Sequence, residues 1–190
     1  MPRKPSYDRN ELIDRARDLF WRQGWAGTSL KDLEATLQMK PGSFYAAFGS
    51  KDALFGLALD RYAQDGGKRL DALAAELGAL GALQRYPVLI LEDSTAPACA
   101  CMLAKTLIEL HRRDHPLAAR ADKHLRRMEA RFADLFRQAQ AAGDIGPGND
   151  PVSLARKYQS DLMGLRVSAE RMGSDALEIA RQISQGLARL

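Results

Sequence analysis

The chain has 190 residues, of which 46% are hydrophobic and 27% are charged, a composition that fits a globular protein with a sizeable core. Its formal net charge of +4 permits nucleic-acid binding without requiring it. No apolar run approaches the roughly 20 residues that a membrane helix needs, and residues 1–6 form a basic, proline-containing arm with no apolar segment behind it. We therefore expect a cytoplasmic protein without a signal peptide, and an N-terminal arm that is disordered.

The first third of the chain carries the signals of four helices. Apolar residues recur at helical spacing and mark the first helix. The starts of the next three helices are marked by hydroxyl side chains suited to N-caps and by a proline suited to a first helical turn. Glycines mark the ends of two helices. The predicted starts after the first helix are Ser29, Pro41 and Ser50, and the predicted ends are Gly24 and Gly49. We expect Gly66 and Gly67 to loosen the later part of the fourth helix.

The remaining two thirds of the chain are also predicted to be helical, because no segment alternates with the strand period of two. A proline interrupts an apolar run at Pro87, and a loop is expected at 93–97. Later helices are predicted at about 101–111, 116–142, 151–172 and 175–190. The fold class is therefore all-α with about nine helices, divided near the fourth helix into a small unit at 6–66 and a larger bundle at 67–190.

The second and third predicted helices are joined by a tight turn at residues 38–40. This is the arrangement of a helix-turn-helix, spanning about residues 29–48, in which the second helix lies in the DNA major groove. Phe44 and Phe48 share one face and are predicted to pack inward. Tyr45 falls off that face, which disfavours the alternative that it is a further core aromatic. The side predicted to face DNA carries small residues, which permit close approach but offer few groups that read bases.

Several groups around this unit can donate hydrogen bonds to phosphates. They are the hydroxyls of Thr28 and Tyr45, the amines of Lys40 and Lys51, and the backbone amides at the helix starts. The predicted DNA-binding residues are Thr28, Ser29, Lys40, Pro41, Gly42, Ser43, Tyr45 and Lys51.

The segments TSLKDL at 28–33 and PGSFYAAFGSKDAL at 41–54 resemble the DNA-binding domain of the TetR/AcrR family of bacterial transcriptional regulators. The resemblance covers about residues 6–66, and it rests on tyrosine, phenylalanine and lysine at the family's spacing. It implies a three-helix DNA-binding domain, a linking fourth helix, and a helical ligand-binding domain that dimerises through its last two helices. By this resemblance, Thr28, Tyr45 and Lys51 match phosphate-contacting positions, and residues 40–43 match the start of the recognition helix.

Cys99 and Cys101 lie too close in sequence for a structural disulfide, and the segment 98–103 resembles a subset of the same family. Three interpretations remain open. The two cysteines could be small buried hydrophobic residues. They could form a redox or electrophile sensor, because a helix start and nearby Lys105 favour a reactive thiol. They could also be metal ligands. A metal site would need His111, His115 or His124, whose spacing matches no standard zinc pattern, so we expect neither a metal nor a cofactor.

A ligand pocket, where present, is expected between helices of the second unit. The candidate lining residues are also typical of plain core or surface positions. They are Tyr86, Cys101, Met102, Lys105, Thr106, Glu109, Tyr158 and Met163.

The last two predicted helices, 151–172 and 175–190, carry more apolar residues than a lone helix pair needs. Ser160, Gly164 and Ser168, at four-residue spacing, permit close helix approach. We predict a four-helix interface built from two copies, with an intramolecular core as the alternative. Two-fold symmetry predicts a palindromic operator on double-stranded DNA.

The function that these patterns predict is a DNA-binding transcriptional regulator, a homodimeric repressor released by an unknown small-molecule or thiol-reactive inducer that displaces the fourth helix. The alternative is a helical small-molecule-binding protein or enzyme without a DNA role. We predict no enzymatic activity, because the sequence has no phosphate loop, metal motif or arrangement of nucleophile, base and acid.

Overall fold

The computed structural model describes residues 8–93 and 95–190, and in these ranges it contains eight α-helices and no strand. The helices are α1 (Arg9–Gln23), α2 (Leu30–Leu37), α3 (Pro41–Phe48), α4 (Lys51–Glu92), α5 (Met102–Leu110), α6 (Pro116–Ala142), α7 (Pro151–Ala169) and α8 (Ala176–Leu187). A short 3-10 turn, His111–Arg113, joins α5 to α6. The predicted all-α class is confirmed, whereas the arm predicted at residues 1–6 lies outside the described residues.

The ends of the first helices follow the predicted capping residues. Gly24 and Gly49 stand directly after α1 and α3, and both have positive φ angles. The Ser50 hydroxyl accepts the Ala53 amide at the start of α4. Ser29 forms a capping box with Asp32 at the start of α2. The Ser29 hydroxyl and amide both donate to Asp32, and they hold the pKa of that carboxyl below its usual range.

The prediction that Gly66 and Gly67 loosen α4 is wrong. The helix continues through both, and Gly67 is buried where Arg131 of α6 donates to its carbonyl at 3.2 Å. The break comes later, at Gly78, whose φ of 73° is left-handed. The paired glycines are therefore ordinary helical positions on the side of α4 that faces α6.

Pro87 lies inside the last part of α4 instead of ending a helix. A proline has no N–H, so the carbonyl of Leu83, four residues earlier, loses its helical donor. The buried Tyr158 hydroxyl of α7 donates to that carbonyl at 2.6 Å. A side chain from α7 thus replaces the missing backbone bond and joins the two helices.

Two apolar clusters form the core. The first contains the inner faces of α1–α3 and the start of α4, and it continues into α5 and the first half of α6. The second lies among the end of α4, the second half of α6, α7 and α8. Packing in the first cluster therefore extends beyond residue 66. Among the described residues, no helix combines the length and apolar character needed to cross a membrane.

Candidate functional site

Helix α3 has one buried and one exposed side, as predicted. Phe44 and Phe48 are buried, with ring centroids 5.8 Å apart. The opposite side exposes residues 41–43 and Tyr45, whose side chain is 48% exposed and packs edge-on against Phe44. The helix therefore presents a narrow surface of small residues with one protruding hydroxyl.

The start of α3 has free hydrogen-bonding capacity. Gln38 adopts a left-handed conformation that ends α2, and buried Met39 anchors the turn to the core. Lys40 occupies the N-cap position without a side-chain capping bond, and Pro41 follows it. The first-turn amides of Gly42 and Ser43 consequently have no side-chain cap among the described residues, and they point along the positive end of the helix dipole.

The structure contradicts one predicted phosphate donor. Thr28 is fully buried, and its hydroxyl donates to the Gly24 carbonyl at 2.7 Å. The hydroxyl therefore ties the α1–α2 turn together and cannot reach a phosphate. Its neighbour Ser29 is exposed, but its hydroxyl is engaged with Asp32 at 2.7 Å.

Lys51 is held beside the α1–α2 turn by an aromatic ring. Its ammonium nitrogen lies 4.4 Å from the Trp25 ring centroid, and the Trp25 indole donates to Asp52 at 2.7 Å. Partial burial lowers the pKa of Lys51, against the opposing effect of Asp52 and Glu109. The ring thus positions a cation at the start of α4.

Helix α5 fastens the α1–α2 turn through two side chains that were predicted to line a pocket. The Glu109 carboxylate accepts the backbone amides of Trp25 at 3.0 Å and Ala26 at 2.7 Å. The Lys105 ammonium donates to the carbonyls of Trp21 at 2.7 Å and Arg22 at 3.2 Å. Both residues satisfy free groups at the end of α1, and their assignment as pocket-lining residues is wrong.

A cavity of about 220 Å³ lies among α1, α4, α5, α6 and α7. Three of the predicted residues line it, namely Tyr86, Cys101 and Met163. Met102, Thr106 and Tyr158 do not, because they are buried in the packed core and the two hydroxyls donate to the backbone carbonyls of Met102 and Leu83. The placement of a pocket between helices of the second unit fits this cavity, although α1 also contributes to its wall.

The polar groups of the cavity were largely missed at the sequence level. Tyr62, Gln159 and Arg166 line it together with the thiol of Cys101. Burial raises the pKa of Tyr62, and the neighbouring Cys101 thiol acts in the same direction. A signal for Arg166 was present: Tyr158, Leu162 and Arg166 follow one another at four-residue spacing, so the arginine continues a buried stripe of α7.

The two cysteines are free thiols that differ in exposure. Cys99 is exposed, and Cys101 is partly buried at the cavity wall. The histidines considered as their metal partners lie elsewhere, with His124 bonded to Asp60 at 2.7 Å and His115 capping α6. Across 8–93 and 95–190, no group of three or more potential ligands is arranged to hold a metal ion.

Helices α7 and α8 leave apolar groups uncovered. Val167 is 60% exposed and Leu177 is 38% exposed. A groove between the two helices is lined by Leu154, Gly164 and Ile183, among others. The observed helices are shorter than the predicted ranges 151–172 and 175–190, because a turn around Gly173, with a φ of 74°, separates them.

Comparison with known proteins assigns the family. Residues 12–58 match the family described as bacterial regulatory proteins, tetR family, and residues 77–183 match the tetracyclin repressor-like C-terminal domain. The chain is 30% identical over 189 residues to the HTH-type transcriptional repressor ComR of Escherichia coli (strain K12), covering 97% of this chain and 89% of ComR.

Solved structures share the fold over nearly the whole chain. A cysteine mutant of the TetR family transcriptional regulator CifR, in complex with 26-base-pair double-strand operator DNA, is 29% identical, with a TM-score of 0.79 and 98% of both chains covered. The reduced form of Escherichia coli NemR has the same fold at 21% identity, with a TM-score of 0.80 over 94% of this chain and 96% of NemR. The protein therefore belongs to the TetR family of bacterial transcriptional regulators.

Proposed function

We propose that the protein is a homodimeric repressor that grips a palindromic operator with α2 and α3 and is released when an inducer enters the cavity. The observation that carries this proposal is the position of α5 and the segment before it. Cys101 and Leu103 line the cavity, whereas Lys105 and Glu109, one to two turns further along, hold the α1–α2 turn. One element thus joins the cavity to the DNA-binding unit.

Phosphate contacts are assigned to groups at the starts of α3 and α4 and to Tyr45 on the exposed side of α3. Tyr45, Lys40 and Lys51 supply side-chain donors, and residues 42–43 supply backbone amides. The relative CifR is known in complex with double-strand operator DNA, which supports a DNA-binding role for this chain. The small side chains of α3 offer few groups that can contact base edges. We therefore expect phosphate contacts, which weaken as salt rises, to supply a large part of the operator affinity. We place the DNA-binding domain at 6–66 and the ligand-binding and dimerisation domain at 67–190.

Dimerisation is assigned to α7 and α8. Their exposed apolar groups, including Val167 and Leu177, and the small residue Gly164 would be covered by the same helices of a second copy. In such a four-helix contact the same surface of each copy meets its equivalent, so a two-fold axis relates the two α3 helices. Two α3 helices related in this way match two inverted half-sites in the DNA. Because its target is chromosomal DNA, we place the protein in the cytoplasm.

Release is assigned to a population shift between two arrangements of the DNA-binding units. Trp21 lines the cavity from α1, and its indole donates to the Ala100 carbonyl at 2.6 Å. An inducer that contacts Trp21 or the segment before α5 would therefore change the position of α1 and of the helix-turn-helix packed on it. A thiol-reactive inducer would act on Cys101 at the same wall.

An electrophoretic mobility-shift assay with the DNA upstream of the protein's own gene tests the proposal. We expect a specific, salt-sensitive complex and, in light scattering, a particle with the mass of two chains. The alternative, a helical small-molecule-binding protein or enzyme without a DNA role, is disfavoured by the family assignment. A chain that binds no operator fragment at low salt would support that alternative and contradict the proposal.

A further inference from the structure

The cavity holds a cation that lacks an acidic partner. Arg166 of α7 donates one hydrogen bond, from Nη1 to the Cys99 carbonyl at 2.9 Å. No aspartate or glutamate among the described residues forms an ion pair with it. Glu170, directly after α7, instead accepts the Ala100 amide at 2.7 Å. A guanidinium has five N–H donors, so most of those of Arg166 remain available toward the cavity.

The other two cations of the cavity wall are neutralised. Arg17 is paired with Asp65 at 2.6 Å and with Asp18 at 2.8 Å. Arg69 is paired with Asp93 at 2.7 Å. The three arginines of the wall are matched in number by Asp18, Asp65 and Asp93, so the cavity has no surplus positive charge. Arg166 is the one arginine of the wall without a carboxylate partner, which suits a monoanion bound at that guanidinium and not a phosphate with two negative charges.

The surroundings of Arg166 suit an organic anion with an apolar body. The tyrosines 62 and 86 border the same space, and burial raises the pKa of both, so each hydroxyl stays neutral and able to donate. Gln159 also lines the cavity, and its buried Oε1 has no hydrogen-bond partner among the described residues. This oxygen is an acceptor, so it can take a hydrogen bond from a donor on a ligand but does not bind the carboxylate. Ile90 and Phe132 supply apolar wall. An apolar cavity of about 150 Å³ holds benzene, so this space of about 220 Å³ has room for an aromatic ring and a short acidic arm.

We propose that the inducer is a small organic monocarboxylate whose carboxylate binds Arg166 and whose apolar or aromatic part packs against Ile90 and Phe132. This inference rests on the proposed function and specifies the chemical class of its inducer. It also accounts for signalling. The guanidinium that would bind the carboxylate also donates to the Cys99 carbonyl, and the adjoining Ala100 is bonded to Trp21 of α1. A shift of Arg166 toward a bound carboxylate would therefore move the segment that holds α1.

Isothermal titration calorimetry on the full chain tests the inference with two probes of equal shape, 3-phenylpropionate and 3-phenylpropionamide. We expect the acid to bind at least about tenfold more tightly than the amide, because only the acid forms a charge-assisted pair with the guanidinium. In Arg166→Met this preference should vanish, and Arg166→Lys should restore part of it. Glu170→Gln is the matched control, since it weakens a neighbouring contact to Ala100 and leaves the cation in place.

Equal affinity for acid and amide, no binding of the acid at millimolar concentration, or a preference that survives in Arg166→Met would each overturn the inference. The comparison of the two probes on the unmodified chain needs no variant, so it holds even where Arg166→Met fails to fold. A mobility-shift assay on the same preparations separates the two proposals. A chain that prefers the acid but binds no operator contradicts the proposed function, and a chain that binds the operator without preferring the acid contradicts only the inducer class.

Discussion

The hydrogen bond from Tyr158 to the Leu83 carbonyl tests how α4 accommodates an internal proline. Tyr158→Phe removes one oxygen and keeps the ring, whose edge-to-face contact with Phe132 has a centroid distance of 4.9 Å. The fully buried Leu83 carbonyl would then have no donor, because Pro87 offers no N–H. A buried backbone acceptor left without a partner costs about 1–3 kcal/mol. We expect the free energy of unfolding to fall by that amount in urea denaturation followed by circular dichroism, at fixed protein concentration.

A double-mutant cycle supplies the matched control. Pro87→Ala introduces a backbone N–H four residues after Leu83, in the position of a helical donor. In this background Tyr158→Phe should cost less than about 1 kcal/mol, since the carbonyl can bond within the helix. An equal cost in both backgrounds would refute the reasoning, because it would show that the hydroxyl does not compensate for the proline.

Three further predictions address the DNA surface, the thiol and an ion pair. Tyr45→Phe should weaken operator binding about five- to tenfold through loss of one hydrogen bond. Lys51→Ala should reduce the slope of log binding constant against log salt concentration by about one. Both variants should keep the wild-type mass in light scattering, which serves as the control. Cys101→Ser should abolish release from DNA by hydrogen peroxide while Cys99→Ser retains it, and an unchanged response in both would end the thiol-sensor hypothesis. Burial opposes the charge of Asp60, but its arginine and histidine partners on α6 hold its pKa below the usual range. The stabilisation by Asp60 is therefore present above the ordinary carboxyl pKa and is lost as pH falls through the depressed value. Thermal unfolding should accordingly favour the wild type over Asp60→Asn at neutral pH but not in strong acid.

Local signals account for the parts of the fold that could be predicted. Four-residue spacing placed Phe44 and Phe48 in the core, and the hydroxyls of Ser29 and Ser50 marked helix starts that the structure confirms. These signals act within one or two helical turns, so they do not depend on what packs against the helix.

The errors concern interactions between distant segments. Glycine pairs commonly weaken helices, but α4 continues through Gly66 and Gly67, where α6 packs against it and Arg131 donates to the Gly67 carbonyl. Lys105 and Glu109 were predicted to line a pocket. Whether their charged ends meet a ligand or the end of α1 depends on a contact across more than 80 residues of sequence. No periodicity encodes that contact.

The segment Cys99–Ala100 forms a second connection, besides α4, between the two halves of the molecule. Arg166 and Glu170 of α7 bond its carbonyl and amide, and the same segment accepts the indole N–H of Trp21 from α1. Helix α7 carries the proposed dimer face, and α1 supports the helix-turn-helix. Three hydrogen bonds therefore link α7, which is proposed to set the spacing of two subunits, to α1, which supports the DNA-binding helices. A ligand that binds Arg166 acts where α1 and α7 meet this segment, so a small displacement there can change the spacing of the recognition helices without unfolding any helix.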